Sequence, residues 1–167
     1  MSTFGIFYGS STGNTEIVAK IIQDKLGPDN ADLYDVAHIK VEDFRKYSVV
    51  IFGTPTWGIG GMQDDWEDAI HLIAEVDFAE KKVALFGLGD QEEYPDTFAD
   101  ALGTLYRRVL RRGACIIGEW SADDYTFEKS RAYREGSFVG LVIDQDNQAD
   151  LTEERVSDWV EMVTSAL

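Results

Sequence analysis

The chain has 167 residues, 44% of them hydrophobic and 12% aromatic, enough for one well-buried core but not for two, so a single domain over 1–167 is expected. Its 31 acidic and 15 basic side chains give a formal charge of −16, which sets most of its surface against nucleic acid. No run approaches the roughly 18 apolar residues of a membrane helix, and the opening residues lack the basic and apolar regions of a secretion signal; a cytoplasmic location without a membrane partner is the expectation.

Along the chain, short apolar runs alternate with amphipathic stretches, the rhythm of an α/β fold. Residues 3–8 read as a strand and 14–26 as a helix, with Ile17, Val18, Ile21, Ile22 and Leu26 at helical spacing. Between them lies Ser10-Ser11-Thr12-Gly13-Asn14-Thr15. A turn from a strand end into a helix start offers unpaired N–H groups and the positive end of the macrodipole, so it favours a phosphate without any cationic side chain. Four hydroxyls and the Asn14 amide add donors. Such residues are also ordinary helix caps, and the hexapeptide alone leaves both readings open. Neither the Walker A pattern nor the dinucleotide fingerprint occurs, and a loop without lysine suits a single monophosphate.

Further strands are expected at 31–36, 48–53 and 82–87, with a last strand split into 114–118 and 138–143; further helices are expected at 64–75, 98–112 and 152–166. Thr152 is the expected cap of the last helix. Cys115, the single cysteine, sits in an apolar run and reads as a buried structural thiol; His38 and His71 lack ligand spacing and read as surface residues. Charge is unevenly placed: residues 64–100 hold twelve acids against Lys81 and Lys82, whereas 101–118 hold Arg107, Arg108, Arg111 and Arg112 and no acid. That polarity points to steering by a basic protein partner.

Right-handed crossovers put the strand C-termini on one sheet edge, where open α/β sheets bind ligands. Loops 10–15, 54–61 and 88–96 leave from that edge. The second carries Trp57 among Gly58, Gly60 and Gly61; the third carries Tyr94 beyond Gly89. Two rings able to enclose a planar heterocycle, beside a phosphate turn, describe one ligand.

The stretches Phe7-Tyr8-Gly9-Ser10-Ser11-Thr12-Gly13-Asn14-Thr15, Gly53-Thr54-Pro55-Thr56-Trp57, Val83-Ala84-Leu85-Phe86-Gly87-Leu88-Gly89-Asp90-Gln91, Phe138-Val139-Gly140-Leu141 and Asp146-Asn147-Gln148 resemble, in order and spacing, a long-chain flavodoxin of the bacterial type. The resemblance covers essentially the whole chain. It implies a doubly wound five-stranded parallel sheet of order 2-1-3-4-5, helices on both faces, and a last strand split by an insertion at 119–137. It implies non-covalent FMN, with Ser10, Ser11, Thr12, Gly13, Asn14 and Thr15 on the phosphate and with Trp57 and Tyr94 on opposite ring faces. Gly89 and Asp90 would meet the pyrimidine edge, while Pro55, Thr56, Ile59, Gly60 and Leu88 complete the set. Gly58 falls where family members have the carbonyl that flips toward flavin N5–H in the semiquinone.

The implied function is a low-potential one-electron carrier, not an enzyme, shuttling between semiquinone and hydroquinone. A ferredoxin/flavodoxin–NADP+ reductase would be the donor and basic-surfaced redox enzymes the acceptors of a monomeric carrier, docked at Asp64, Asp65, Glu67 and Asp68. In the insertion, Trp120, Tyr125, Phe127 and Tyr133 are expected to pack rather than face a partner. The alternatives are an FMN-dependent NAD(P)H quinone reductase and, remotely, a response-regulator receiver; the latter lacks an aspartate where Gly53-Thr54-Pro55 ends the third strand.

Overall fold

The computed structural model describes residues 2–167. Buried apolar runs form the parallel strands β1 (Phe4–Tyr8), β3 (Val49–Thr54) and β4 (Lys82–Leu88), flanked by β2 (Ala31–Asp35). β5 (Cys115–Ile117) pairs with the first half of β4 and β9 (Leu141–Ile143) with its second half, so two collinear pieces complete the order β2-β1-β3-β4-β5. The expected five-position sheet with a split last strand is the observed one.

Helices cover both faces because continuous apolar strands must be buried on both sides. α1 (Asn14–Leu26) and α5 (Thr152–Ser165) lie on one face; α1 buries Thr15, Val18, Ala19, Ile22 and Leu26, and α5 buries Val156, Trp159, Val160 and Val163. α3 (Asp64–Ile73) and α4 (Asp100–Arg111) lie on the other, around the fully buried Trp66, Phe52, Phe78 and Phe98. A five-residue α2 (Val41–Arg45) was not expected; it is too short to show a helical period and is fixed by burial of Phe44 against Phe7 and Phe52.

Between β5 and β9 the chain builds a small antiparallel sheet from β6 (Trp120–Ser121), β7 (Tyr133–Arg134) and β8 (Ser137–Phe138), in the order β6-β8-β7. Two-residue strands carry no period, so sequence patterning missed them. Tyr125 is buried, its hydroxyl donates to the Val142 carbonyl at 2.5 Å, and its ring meets Phe138 edge-on at 5.1 Å. Trp120 and Phe127 are half-buried as expected, but Tyr133 stays 44% exposed.

Two further expectations fail. Cys115 is exposed, because β5 is an edge strand of three residues and Cys115 stands at its open end opposite Lys82. Thr152 does not cap α5: Leu151 precedes the helix at the end of a 3-10 turn, and the Thr152 hydroxyl bonds the Gln145 side chain instead. His38 and His71 are both exposed.

Candidate functional site

The strand order reverses between the parallel neighbours β1 and β3, so the loops that follow them run to opposite faces and leave a crevice at the C-terminal edge. There a cleft is lined by Thr12 and Asn14 from the first loop, by Pro55, Thr56 and Trp57 from the second, and by Leu88, Gly89, Asp90 and Tyr94 from the third. Residues the sequence did not single out for a site complete it: Thr97, Phe98 and Ala99 before α4, and Gln145 and Asp146 after β9. The signal for the last pair was present, since any loop leaving a parallel strand's C-terminus reaches this edge.

The first loop is not an ordinary side-chain cap. The residue preceding α1 is Gly13, at φ +95° with no capping side chain. The first helical bond runs from Ile17 N–H to the Gly13 carbonyl, so the N–H groups of Asn14, Thr15 and Glu16 have no carbonyl of their own helix. Ser10 Oγ accepts from Gly13 N–H at 3.0 Å, and Ser11 Oγ accepts from Gln63 Nε2 at 2.9 Å. With their oxygens engaged, both hydroxyl hydrogens remain available to a ligand. Thr15 is buried and underpins the turn.

Gln63 joins this loop to the second. Fully buried, it caps α3 by accepting from Trp66 N–H at 3.2 Å, while its Nε2 also donates to Asp65 at 2.7 Å. Trp57 and Gly61 close a hairpin with reciprocal N–H to carbonyl bonds of 2.8 and 2.6 Å. At its tip are Gly58, with φ +51° and open space around its α-carbon, Ile59, which is 87% exposed, and Gly60, with φ +78°. None of these three, nor Ser10, Ser11, Gly13 or Thr15, lines the cleft; they flank it.

Third and fourth loops are tied through Asp144, which is fully buried. Its carboxylate accepts from Gln91 N and Nε2 at 3.1 and 2.7 Å, from Asp146 N at 3.2 Å, and from Asn147 N and Nδ2 at 2.9–3.1 Å. All are neutral donors. Asp90 is raised by burial, but the amides of Glu93 and Glu92 and the Asn147 side chain outweigh it, leaving the carboxyl below its usual range. Asp146 moves the other way, raised by burial and then by the charges of Asp90 and Asp144. Tyr94 N–H bonds the Asp90 carbonyl at 2.9 Å, and Tyr94, 41% exposed, lines the same cleft as Trp57.

The site therefore brings together a turn with unpaired N–H groups and no cationic side chain, the aromatic side chains of Trp57 and Tyr94, and the carboxylates of Asp90 and Asp146. The protein-family model described as Flavodoxin matches residues 6–159. A flavodoxin from a Nostoc strain is 48% identical over 161 residues, 96% of this chain and 95% of that protein. Flavodoxin 1 of Escherichia coli is 48% identical over 168 residues, spanning this chain entirely and 96% of its own length. The crystal structure of Fusobacterium nucleatum flavodoxin bound to flavin mononucleotide superposes with a TM-score of 0.94 at 30% identity, covering 100% of this chain and 99% of that one. Nearly half of the residues, and the whole of the fold, are thus shared with carriers of one kind, and the chain belongs to the flavodoxin family.

Proposed function

We propose that the chain binds FMN in this cleft and carries single electrons at low potential between partner proteins. The observation that carries the reading is that Thr12 and Asn14, from a turn with unpaired N–H groups, line one cleft together with Trp57 and Tyr94. The donor set fits the group: neutral N–H and hydroxyl donors for a phosphate, rings for an isoalloxazine, and peptide groups of Gly89 and Asp90 for its polar edge. When bound, FMN supplies the one-electron chemistry, and the protein supplies binding, orientation and field.

Ser10 to Thr15 anchor the phosphate without cancelling its charge. Asp90 and Asp146 line the cleft and Asp144 lies buried and hydrogen-bonded to Asp146, with no cation within ion-pair distance of the three among the described residues. A unit charge about 10 Å away contributes on the order of 0.4 to 1.7 kcal/mol between dielectric constants of about 80 and 20. For one electron that is on the order of 20 to 70 mV. Each carboxylate opposes the gain of negative charge, so the reduced cofactor becomes a stronger donor.

Partners dock at the same edge. Asp64, Glu67 and Asp68 are exposed on the first half of α3, which follows the hairpin that carries the exposed Ile59. Exposed carboxylates and an exposed aliphatic side chain on consecutive segments suit a basic face with a small apolar pocket. The monomer would receive electrons from a ferredoxin/flavodoxin–NADP+ reductase and pass them to basic-surfaced redox enzymes. The quinone-reductase alternative is not favoured, since the matched relatives are named flavodoxins. The test is a titration of apoprotein with FMN, followed by reduction with a reductase of that class. One FMN per chain, and transfer that slows as salt rises, are expected; no binding, or unassisted NAD(P)H turnover with a quinone, would refute the reading.

A further inference from the structure

A second groove lies behind the cleft, between α4 and the segment that splits the last strand, and its charge is opposite to that of the molecule. Arg107 of α4 faces Lys129, Arg131 and Arg134 across it, with Asp96 and Asp100 as the acids within the same lining. Asp100 is 5% exposed and already occupied, accepting from Arg131 N–H at 2.7 Å and lying 3.8 Å from Arg131 Nε. Arg107, Lys129 and Arg134 have no carboxylate within ion-pair distance among the described residues. In a chain with twice as many acids as bases, three exposed cations gathered on one groove and left unpaired need a reason.

The fold holds them there. Gly103 lets the 129–131 backbone press against α4, since a Cβ would stand 2.4 Å from the Arg131 carbonyl oxygen. The Arg134 guanidinium rests 5.4 Å from the centre of the Tyr106 ring, which orients it without neutralising it. Beside these cations Tyr133 exposes its ring edge.

We propose that this groove is a docking surface for an acidic segment of a partner protein. Long, exposed, unpaired side chains flanking an aromatic suit a carboxylate-bearing peptide better than a free phosphate, which would call for converging buried donors. A nucleic acid is disfavoured because its charge extends beyond the groove into the field of a −16 molecule. Thr97 lines both this groove and the cofactor cleft, so the two surfaces adjoin. A partner bearing a basic patch and an acidic segment side by side would engage both and be held in one orientation. That last consequence rests on the electron-carrier reading; the docking itself does not.

The probe is a fluorescein-labelled decaglutamate peptide, titrated into the FMN-loaded, isotopically labelled protein in about 0.1 M salt, where the Debye length is about 10 Å. Amide shifts confined to Thr97, Arg107 and residues 129–134 are expected. In Arg107→Glu and in Arg107→Glu/Arg134→Gln the peptide affinity should fall at least tenfold, with the flavin absorption spectrum unchanged. Shifts elsewhere, no shifts, or equal affinity in the variants would overturn the proposal. So would inorganic polyphosphate shifting these amides where the peptide does not, or self-association of the chain that the variants abolish. Loss of FMN itself would instead count against the cofactor reading, which keeps the two failures distinct.

Discussion

Gly58 shows what a single residue contributes. A side chain there would meet nothing, yet φ is +51°, a conformation costing an L-residue roughly 1–2 kcal/mol. Gly58→Val should therefore fold, while shifting the backbone preference of the Trp57–Gly61 hairpin that flanks the ring site. The expected outcome is a narrower separation between the two one-electron potentials of the FMN-loaded protein, read by spectroelectrochemistry; an unchanged separation would remove any role for that peptide. Asp146 offers an electrostatic counterpart. Asp146→Asn removes one charge from the cleft lining and should raise the potentials by on the order of 20–70 mV, with FMN affinity little changed. Lower potentials would reverse the sign of the field argued above.

Between elements, Gln63 is the joint: one buried side chain caps α3 and grips Ser11 of the opposite loop. Gln63→Ala removes bonds worth about 0.5–1.5 kcal/mol each, so the FMN dissociation constant should rise about tenfold and thermal stability fall. An unaltered dissociation constant would mean that the first loop holds its shape alone. Gln63 also shows where sequence reading stops. The long strands, α1 and the three edge loops were legible because their patterns are local: continuous apolar runs, a helical period, a Ser/Thr/Gly/Asn turn. Gln63, Asp144 and the Phe98 wall were not, since Gln63 grips Ser11, Asp144 grips Gln91 and Phe98 packs on Tyr125, Phe127 and Phe138, partners distant in sequence that no period announces. The small sheet β6-β8-β7 was hidden for a related reason, its strands being specified by packing on Phe98 rather than by their own pattern. Cys115 misled because an apolar run says nothing about whether its strand lies at a sheet's edge.

For the molecule as a whole, buried tyrosines set the alkaline limit. Tyr8 is pushed up to about 12 by burial and then by Glu16 and Asp35; Tyr125 reaches about 12 through burial, against the opposing charge of Arg155. Both ionise near 10 once unfolded. A group with a raised folded pKa contributes fully below the unfolded value and loses its contribution as pH rises through the folded one. Stability should thus hold to about pH 10 and fall between 10 and 12, by roughly 2–3 kcal/mol for Tyr125 and by less for Tyr8, whose hydroxyl meets the partly exposed Glu16 and is screened by solvent. Urea titrations across that range check this, and Tyr8→Phe should flatten the decline. The charge distribution acts at the same scale: under the proposed function, the acids at the start of α3 would steer basic partners, with a reach that shrinks as salt is added. Neutralising Asp64, Glu67 and Asp68 should slow reduction by the reductase and flatten its salt dependence, as stopped-flow rates would show.

Neutral phosphate donors, two rings and a carboxylate rim without cations would together make bound FMN a strong single-electron donor. An anaerobic spectroelectrochemical titration of the FMN-loaded protein tests it most directly. Two resolved one-electron steps are predicted, the second below that of free FMN by on the order of 100 mV, the combined effect of several carboxylates. A single two-electron step at the potential of free FMN would contradict the account.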